Sequence, residues 1–539
     1  MTLIQWFIFF LIVQAVHFAG TWKLYVRAGR KAWEAAVPVY NAVVLMGIIN
    51  RPKWWTILLF IPIVNLIMIP VVWVETARSF GFNTFKDTAL TIFTGGLYLY
   101  YINYATDAPY KHDRDINPKS SSGEWTSSLL FAIVAATLVH TYFMQPFVIP
   151  TSSLEKTLLV GDWLFVSKFH YGARTPLTTV ATPMLHDTIP VIKEKSYLSK
   201  PQLPYFRLPG FQKIKRNDIV VFNWPVDTLV DITPGSMRGS VRKPIDKKSN
   251  YVKRAVGIAG DSLEVRDGYV YINGEQNDLP DRARIQFTYN IVSKVPLVKN
   301  ATNASGYYTF PTDLINGRYE ISDIVLTGNS GGNGPYSHSA QVSEAAIEKL
   351  KNNSNIISIE RAHYDAKENN TGIFGAMPGR ASSVDNFGPI YIPEEGTTVA
   401  INTESLPYYK RIIEVYEGYE MGREREITVN GNQILMNGEP LTEYTFEQNY
   451  YWLMGDNRHN SQDARAWGYV PFNHVVGKPV FVWFSKDANV PGFNGIRWNR
   501  VFTTVGGDGP LVSYRYWFLG ALLLYIGWSF FRKKKQAKK

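Results

Sequence analysis

The stretch from Leu129 to Phe143 contains no charged residue. With Trp125–Ser128 ahead of it, it is long enough to cross a bilayer. In hydrocarbon only a helix bonds every backbone N–H and C=O within one segment. Four further stretches have the same character: Leu3–Ala19, interrupted only by Gln5, Gln14 and His17; Trp54–Val74, which Pro62 and Pro70 should kink; the less apolar Thr88–Tyr104; and Tyr516–Phe531. Leu3–Ala19 has no basic residues before it, so it reads as a spanning helix rather than a cleaved leader. The apolar piece ending near Ile49 is too short to span and should be interfacial or re-entrant. Lys23, Arg27, Arg30 and Lys31 follow the first stretch, and Arg532–Lys535, Lys538 and Lys539 follow the last. Lys and Arg accumulate on the cytoplasmic side. Alternation from an external N-terminus then predicts five spans, with residues 147–512 outside and the basic tail inside.

The overall balance suits a membrane protein. Of 539 residues, 19% are charged and 14% aromatic, respectively below and above the usual soluble domain. The net charge of +11 would suit a nucleic-acid partner, but part of it is the terminal basic run, which reads as cytoplasmic anchoring; no nucleic-acid binding is expected. The absence of cysteine excludes disulfides, a thiol nucleophile and Cys-ligated metal. No His-Glu-x-x-His spacing and no glycine-rich phosphate loop ahead of a helix occurs, so neither a metal nor a cofactor is expected.

After Phe147 the pattern changes to short β-branched or aromatic runs bounded by Gly, Asp or Pro, such as Trp163–Val166, Ile219–Phe222 and Tyr269–Ile272. Asn273-Gly274, Asn430-Gly431 and Asn437-Gly438 are hairpin signals. These predict a mostly β domain over 147–281 and 425–512, interrupted by a mixed α/β insertion over 282–424 with a helix at Ser343–Lys351. An α-helical membrane module and linker (1–125) and an anchor (126–146) precede it, and a terminal helix with its basic tail (513–539) follows.

Candidate chemistry starts where the anchor ends, in Ile149-Pro150-Thr151-Ser152-Ser153-Leu154. Taken alone, hydroxyls after a proline are turn or cap residues. A serine becomes a nucleophile only beside a base. Tyr251-Val252-Lys253-Arg254-Ala255-Val256 offers one, because a lysine buried on an apolar strand loses its charge and can accept a proton. Arg254, its strand neighbour, must then face the other way. His170 and His459 have no partner acid at recognisable spacing, which leaves a Ser-His-Asp arrangement without positional support.

Two more stretches complete a set: Lys215–Pro225, and Met454-Gly455-Asp456-Asn457-Arg458-His459-Asn460-Ser461-Gln462-Asp463-Ala464-Arg465-Ala466-Trp467-Gly468. All four together resemble type I signal peptidase, a family of membrane-bound Ser/Lys endopeptidases. The similarity covers roughly Phe147–Gly274 and Asn430–Phe484. Ser152, Leu154 and His459 stand where the family often has Gly, Met and Asp; none of these changes removes a hydroxyl or amine needed for the chemistry. The resemblance implies a signal-peptidase-like β fold in a bacterial cytoplasmic membrane, with its catalytic domain on the outer, periplasmic face. It also implies cleavage of signal-peptide-bearing preproteins after small residues, in the neighbourhood of the secretion machinery. Ser153 would be the nucleophile, Lys253 the base, Thr151 an oxyanion donor and Ser461 the hydroxyl that orients the amine. The substrate would lie extended beside Phe147, Ile149, Pro150, Tyr251 and Val252. Arg254, Asp456, Arg458, Asp463 and Arg465 are expected to form a structural charged network rather than a catalytic carboxylate set.

Two rivals stand beside this. A self-cleaving Ser/Lys protease shares the dyad but would be soluble, with a DNA-binding helix pair. A non-catalytic membrane-anchored binding or assembly protein would be expected to lack Ser153 or Lys253, and both are present.

Overall fold

A computed structural model describes residues 2–117, 120–226, 242–295, 297, 321–329, 334–367, 372–375, 381–488 and 490–536; the tail residues Lys538 and Lys539 fall outside these. The chain divides into two compact units. The first comprises Met1–Phe143, Arg174–Arg207 and Arg242–Lys247. Its first helix, α1 (Leu3–Arg27), starts at a capping box in which the Thr2 hydroxyl accepts from Gln5 N–H and the Gln5 side chain accepts from Thr2 N–H.

The expected span Trp54–Val74 is not one helix. Trp55–Leu58 and α2 (Asn65–Ser79) are separated by a turn in which Ile63 takes φ 70°. Arg51, just before the segment, lies 3.0 Å from Glu75 just after it. The ends of a true span would be separated by ~30 Å of hydrocarbon, so this piece is a helical hairpin that returns to its starting level. Thr88–Tyr104 is also not one helix: it divides into Phe85–Phe93 and Tyr98–Ala105 around Gly95 and Gly96 at φ 62° and 85°. There the Tyr98 hydroxyl donates to Asp87 at 2.9 Å. Apolar length misled here because the apolar faces serve a helical core: Val72, Ala77, Leu99 and Ile102 pack with Leu24, Tyr25 and Leu45. Among the described residues, two helices are long and apolar enough to cross a bilayer, α1 and the helix Ser121–Phe143. The latter is α3 (Ser121–Leu138) continued by a π turn. The last expected span is a 22-residue helix, α4 (Arg515–Gln536), on which Trp517, Leu523, Leu524 and Phe531 are exposed.

The second unit is built on an antiparallel sheet. Its strands are β1 (Met144–Val148), β2 (Asp162–Ser167), β3 (Ile219–Asn223), β4 (Asn250–Gly257), β5 (Tyr450–Met454), β6 (Val470–Pro471), β7 (Val475–Ser485) and β8 (Thr503–Thr504). They lie in the order β1-β2-β7-β3-β4-β5-β6, with β8 on β7. Every residue of β3 and β5 is buried, which explains their continuous apolar runs. The sheet curls: Ile149 just past β1, Leu164 of β2, Val482 of β7, Val221 of β3 and Val252 of β4 join one cluster. Curling brings the chain after β1 to β4, although three strands intervene in the sheet order.

Strand Gln286–Ser293 is flanked by Tyr336–Ser343 and Ile356–Arg361, with Ile321–Asn329 at the edge. The helix Glu344–Lys351 packs Ala346 and Leu350 against Phe287 and Ile291. Residue 424 is not a packing boundary. Strand Phe387–Tyr391 pairs with Ser262–Arg266, and Ile390, Tyr409 and Ile412 share a core with Val256, Leu263 and Trp452. Asn273-Gly274 and Asn437-Gly438 both have positive φ at the two central positions, as tight hairpins of this kind require.

The hairpin geometry is testable because the chain has no cysteine. Lys53→Cys and Asn83→Cys should react with a membrane-impermeant maleimide from the same side of sealed vesicles; reaction from opposite sides would restore a straight span.

Candidate active site

After β1 the chain turns at Pro150 and enters a short 3-10 turn, Ser152–Leu154. Ile149 anchors that turn. Its side chain is 3% exposed, its N–H donates to Asp162 O at 2.9 Å, and its carbonyl accepts from Gly161 N–H at 2.9 Å. Ile149 is therefore a core residue whose backbone polar groups are already engaged. Phe147 is half-buried in β1, and Pro150 and Thr151 are exposed.

Ser153 and Lys253 meet. The lysine Nζ lies 2.7 Å from Ser153 Oγ, with the lysine 3% and the serine 8% exposed. The strand that carries Lys253 is held on one side by β3, where Lys253 opposes Val220. On the other side the ladder with β5 runs from Gly257 only to Arg254. Lys253 Nζ also reaches Val252 O at 3.3 Å and sits 5.4 Å from the Tyr251 ring centroid. Burial lowers the Lys253 pKa to about 8, against the opposing charges of Asp463 and Asp456 and aided by Arg465. An amine of this kind is largely neutral in mild alkali, as a general base must be.

Arg254 faces the other way, as strand alternation requires. It grips Asp456 with two bonds, Nε to Oδ1 at 2.8 Å and Nη2 to Oδ2 at 2.6 Å. Thr157 Oγ1 donates to the same carboxylate at 2.6 Å. Burial works to raise the Asp456 carboxyl, but Arg254 and Thr157 outweigh it and hold it below its ordinary range. Arg465 makes a second fork onto Asp463, which caps the helix Ala464–Trp467 and accepts Gly455 N–H at 3.0 Å. Arg458 departs from the expected pairing. Among the described residues it has no carboxylate at ion-pair distance; it donates to Gly268 O at 3.2 Å and its Nε is buried without a partner. Burial, with the repulsion of Arg465, lowers its pKa to about 10.

Ser461 is brought to the site but makes no bond to the lysine; among the described residues its buried hydroxyl has no partner. A Cβ built on Gly455 would lie 2.2 Å from Ser461 Oγ and 2.5 Å from Ser153 O. Glycine at 455 is thus what lets the Ser461 and Ser153 segments approach. Asn457 adds two ties, from N–H to Ser153 O at 3.1 Å and from Nδ2 to Ser152 O at 3.2 Å.

His459 has a partner acid, brought to it from far away in the sequence. Its Nε2 lies 2.7 Å from Asp385 Oδ1, and its Nδ1 accepts Thr288 N–H at 3.1 Å. With one nitrogen accepting from the backbone and the other facing a carboxylate, the ring has no nitrogen left for Ser153. Asp385 and Thr288 lie far from His459 in the sequence, and no spacing signals either. The same holds for Gln286, whose backbone bonds Asp456 O and Arg458 N–H.

A family model described as signal peptidase, peptidase S26, matches residues 122–308 and 390–484, more than half of the chain. The chain belongs to that family. Among curated relatives, a signal peptidase I of Haemophilus influenzae is 24% identical over 72% of this chain and 78% of its own length. One of Helicobacter pylori is 25% identical over 72% of this chain and 94% of its own. Residues 33–113 match a separate family of unknown function.

Removing one member of a buried ion pair leaves the other charge uncompensated and costs about 3–5 kcal/mol. Asp456→Ala should therefore lower the unfolding midpoint of the detergent-solubilised protein sharply, whereas Glu348→Ala, at an exposed pair with Lys351, should shift it little.

Proposed function

We propose that this chain is a membrane-anchored serine endopeptidase that removes signal peptides from exported preproteins, with Ser153 as nucleophile and Lys253 as general base. The observation that carries this is the 2.7 Å approach of two buried side chains, one of them a lysine whose surroundings favour its neutral form. Neutral Lys253 takes the Ser153 proton as Oγ attacks the scissile carbonyl. The tetrahedral intermediate collapses as the C–N bond breaks, and the Lys253 ammonium protonates the leaving amine. A water, deprotonated by the same amine, then hydrolyses the acyl ester. Thr151, exposed beside the nucleophile, supplies a hydroxyl to the oxyanion. Ser461, buried and unpartnered, holds the amine once Ser153 Oγ turns to the substrate.

The substrate's extended segment adds beside β4 near Val252, where the ladder to β5 has ended. Phe147 and Pro150 border it from the β1 side, Tyr251 from the β4 side, and shallow apolar contacts there select small residues of the Ala-x-Ala kind. Ile149 contributes through the core rather than by touching substrate. Residues 147–281 and 425–512 carry the peptidase, and within 282–424 Ile390, Tyr409 and Ile412 complete its core.

The peptidase faces the outside of a bacterial cytoplasmic membrane in this proposal. Within the first unit, Trp6 near the start of α1 donates to Gln202 O at 2.9 Å, a residue in the chain beyond Ser153. At the far end of α1, Arg27 donates to the carbonyls of Ile102, Asn103 and Thr106, just before the linker into α3. This favours an external start of α1 and a cytoplasmic end, as the flanking cations do.

Cleavage of a purified preprotein in detergent tests the roles. Ser153→Ala and Lys253→Ala should abolish cleavage while leaving the unfolding midpoint near wild type, and Thr151→Ala should retain activity reduced by about 10²–10³-fold, as for loss of one oxyanion donor. Near-normal cleavage by Lys253→Ala would overturn the assignment of the base.

The pH dependence has a fixed sign. The protonated amine cannot accept a proton, so kcat/KM on a peptide substrate should rise with pH through a group near 8 and level off above it. A rise that begins only near ~10.4, the free-lysine value, would show a solvated amine. Lys253→Arg should be inactive throughout.

A further inference from the structure

In the first unit, three guanidiniums converge on one carboxylate. Glu75, 5% exposed, takes Arg51 at 3.0 Å and Arg114 at 2.7 Å on Oε2, and Arg78 at 3.3 Å on Oε1. Among the described residues no other carboxylate lies at ion-pair distance from these arginines, so the cluster carries two uncompensated positive charges. Lys53 is exposed two residues from Arg51. The Lys111 ammonium approaches Gly81, three residues beyond Arg78. Part of this has a structural explanation: Arg78 lies in the last turn of α2, where a cation suits the helix end, and Arg114 donates to Ile49 O at 3.2 Å. Neither offsets the excess charge, and Arg114 Nε is buried with no acceptor among the described residues. An arginine offers five N–H donors in a planar fork matched to carboxylate or phosphate, and one carboxylate cannot satisfy three forks.

The surroundings indicate the kind of anion. Arg51 lies over the Trp55 ring at 5.2 Å, and Trp54 beside it is 58% exposed. Indoles settle at the headgroup level of a bilayer, and basic pockets between membrane helices accept anionic headgroups. The cluster sits where the Trp54–Val74 hairpin starts and ends, so its cations are presented at one interface rather than across the bilayer.

We propose that Arg51, Arg78 and Arg114, with Lys53 and Lys111 at the rim, bind a phosphate group, that of an anionic phospholipid headgroup in the adjacent leaflet. The site is independent of the peptidase reading, and its test does not use cleavage. Full-length protein stripped of lipid would be incubated with phosphatidylglycerol or phosphatidylcholine, and bound lipid counted by native mass spectrometry. Phosphatidylglycerol should be retained and phosphatidylcholine not. Arg78→Gln should weaken retention about fivefold, as expected for one cation near an anionic surface, and Lys31→Gln, the same loss of charge elsewhere in the unit, should not. Glu75→Gln, which removes the competing carboxylate, should tighten retention. Equal losses from Arg78→Gln and Lys31→Gln, or no gain from a folded Glu75→Gln, would overturn the site. Displacement of the lipid by inorganic phosphate alone would overturn the headgroup assignment in favour of a free anion. If Glu75→Gln fails to fold, the comparison of Arg78→Gln with Lys31→Gln decides.

Discussion

The active-site geometry depends on keeping an amine dry. Lys253 can accept a proton only in its neutral form, and the apolar walls supplied by β3 and the curled sheet favour that form by withholding water. A dry site is costly for every other polar group in it. Arg254, Asp456, Asp463 and Arg465 are each 2% exposed or less, and burying such charges costs several kcal/mol per ion unless geometry compensates. Two forked pairs provide the compensation, Arg254 on Asp456 and Arg465 on Asp463. The residues that look most like catalytic acids are thus occupied in holding the loop that faces Ser153.

The insertion is part of that support. Gln286 bridges the backbone on either side of Asn457, Asp385 holds His459, and Val384 O receives Arg465 Nη1. Phe374 N–H closes on Arg465 O at 2.7 Å. The loop from Met454 to Gly468 is therefore walled by residues far away in sequence, and its conformation depends on the insertion being folded.

Much of the site was legible in the sequence because it is local. Thr151 to Leu154 is one turn, Lys253 and Arg254 diverge by strand alternation, and Asp463 caps the helix it precedes. Partners fixed only by tertiary packing had no such signal. Asp385 could not be matched to His459 across 74 positions, and nothing in the neighbours of Ile149 reveals that Asp162 and Gly161 bond its backbone. Arg458 sat among carboxylates in sequence yet faces a carbonyl. In the membrane module, apolar length and proline content were read correctly, but they do not distinguish a helix that crosses from one that turns back. The Arg51–Glu75 contact makes that distinction.

The helical hairpin closed by Arg51 and Glu75 also bears on how such a protein is assembled. An element that leaves a membrane by the face it entered does not change the direction in which the next segment crosses. A straight span gained or lost reverses the direction of every crossing that follows it. A hairpin of this kind adds folded bulk without altering the parity of crossings. A module of this construction can be placed ahead of another membrane segment, enlarged or removed, and the segments after it still cross in the same direction.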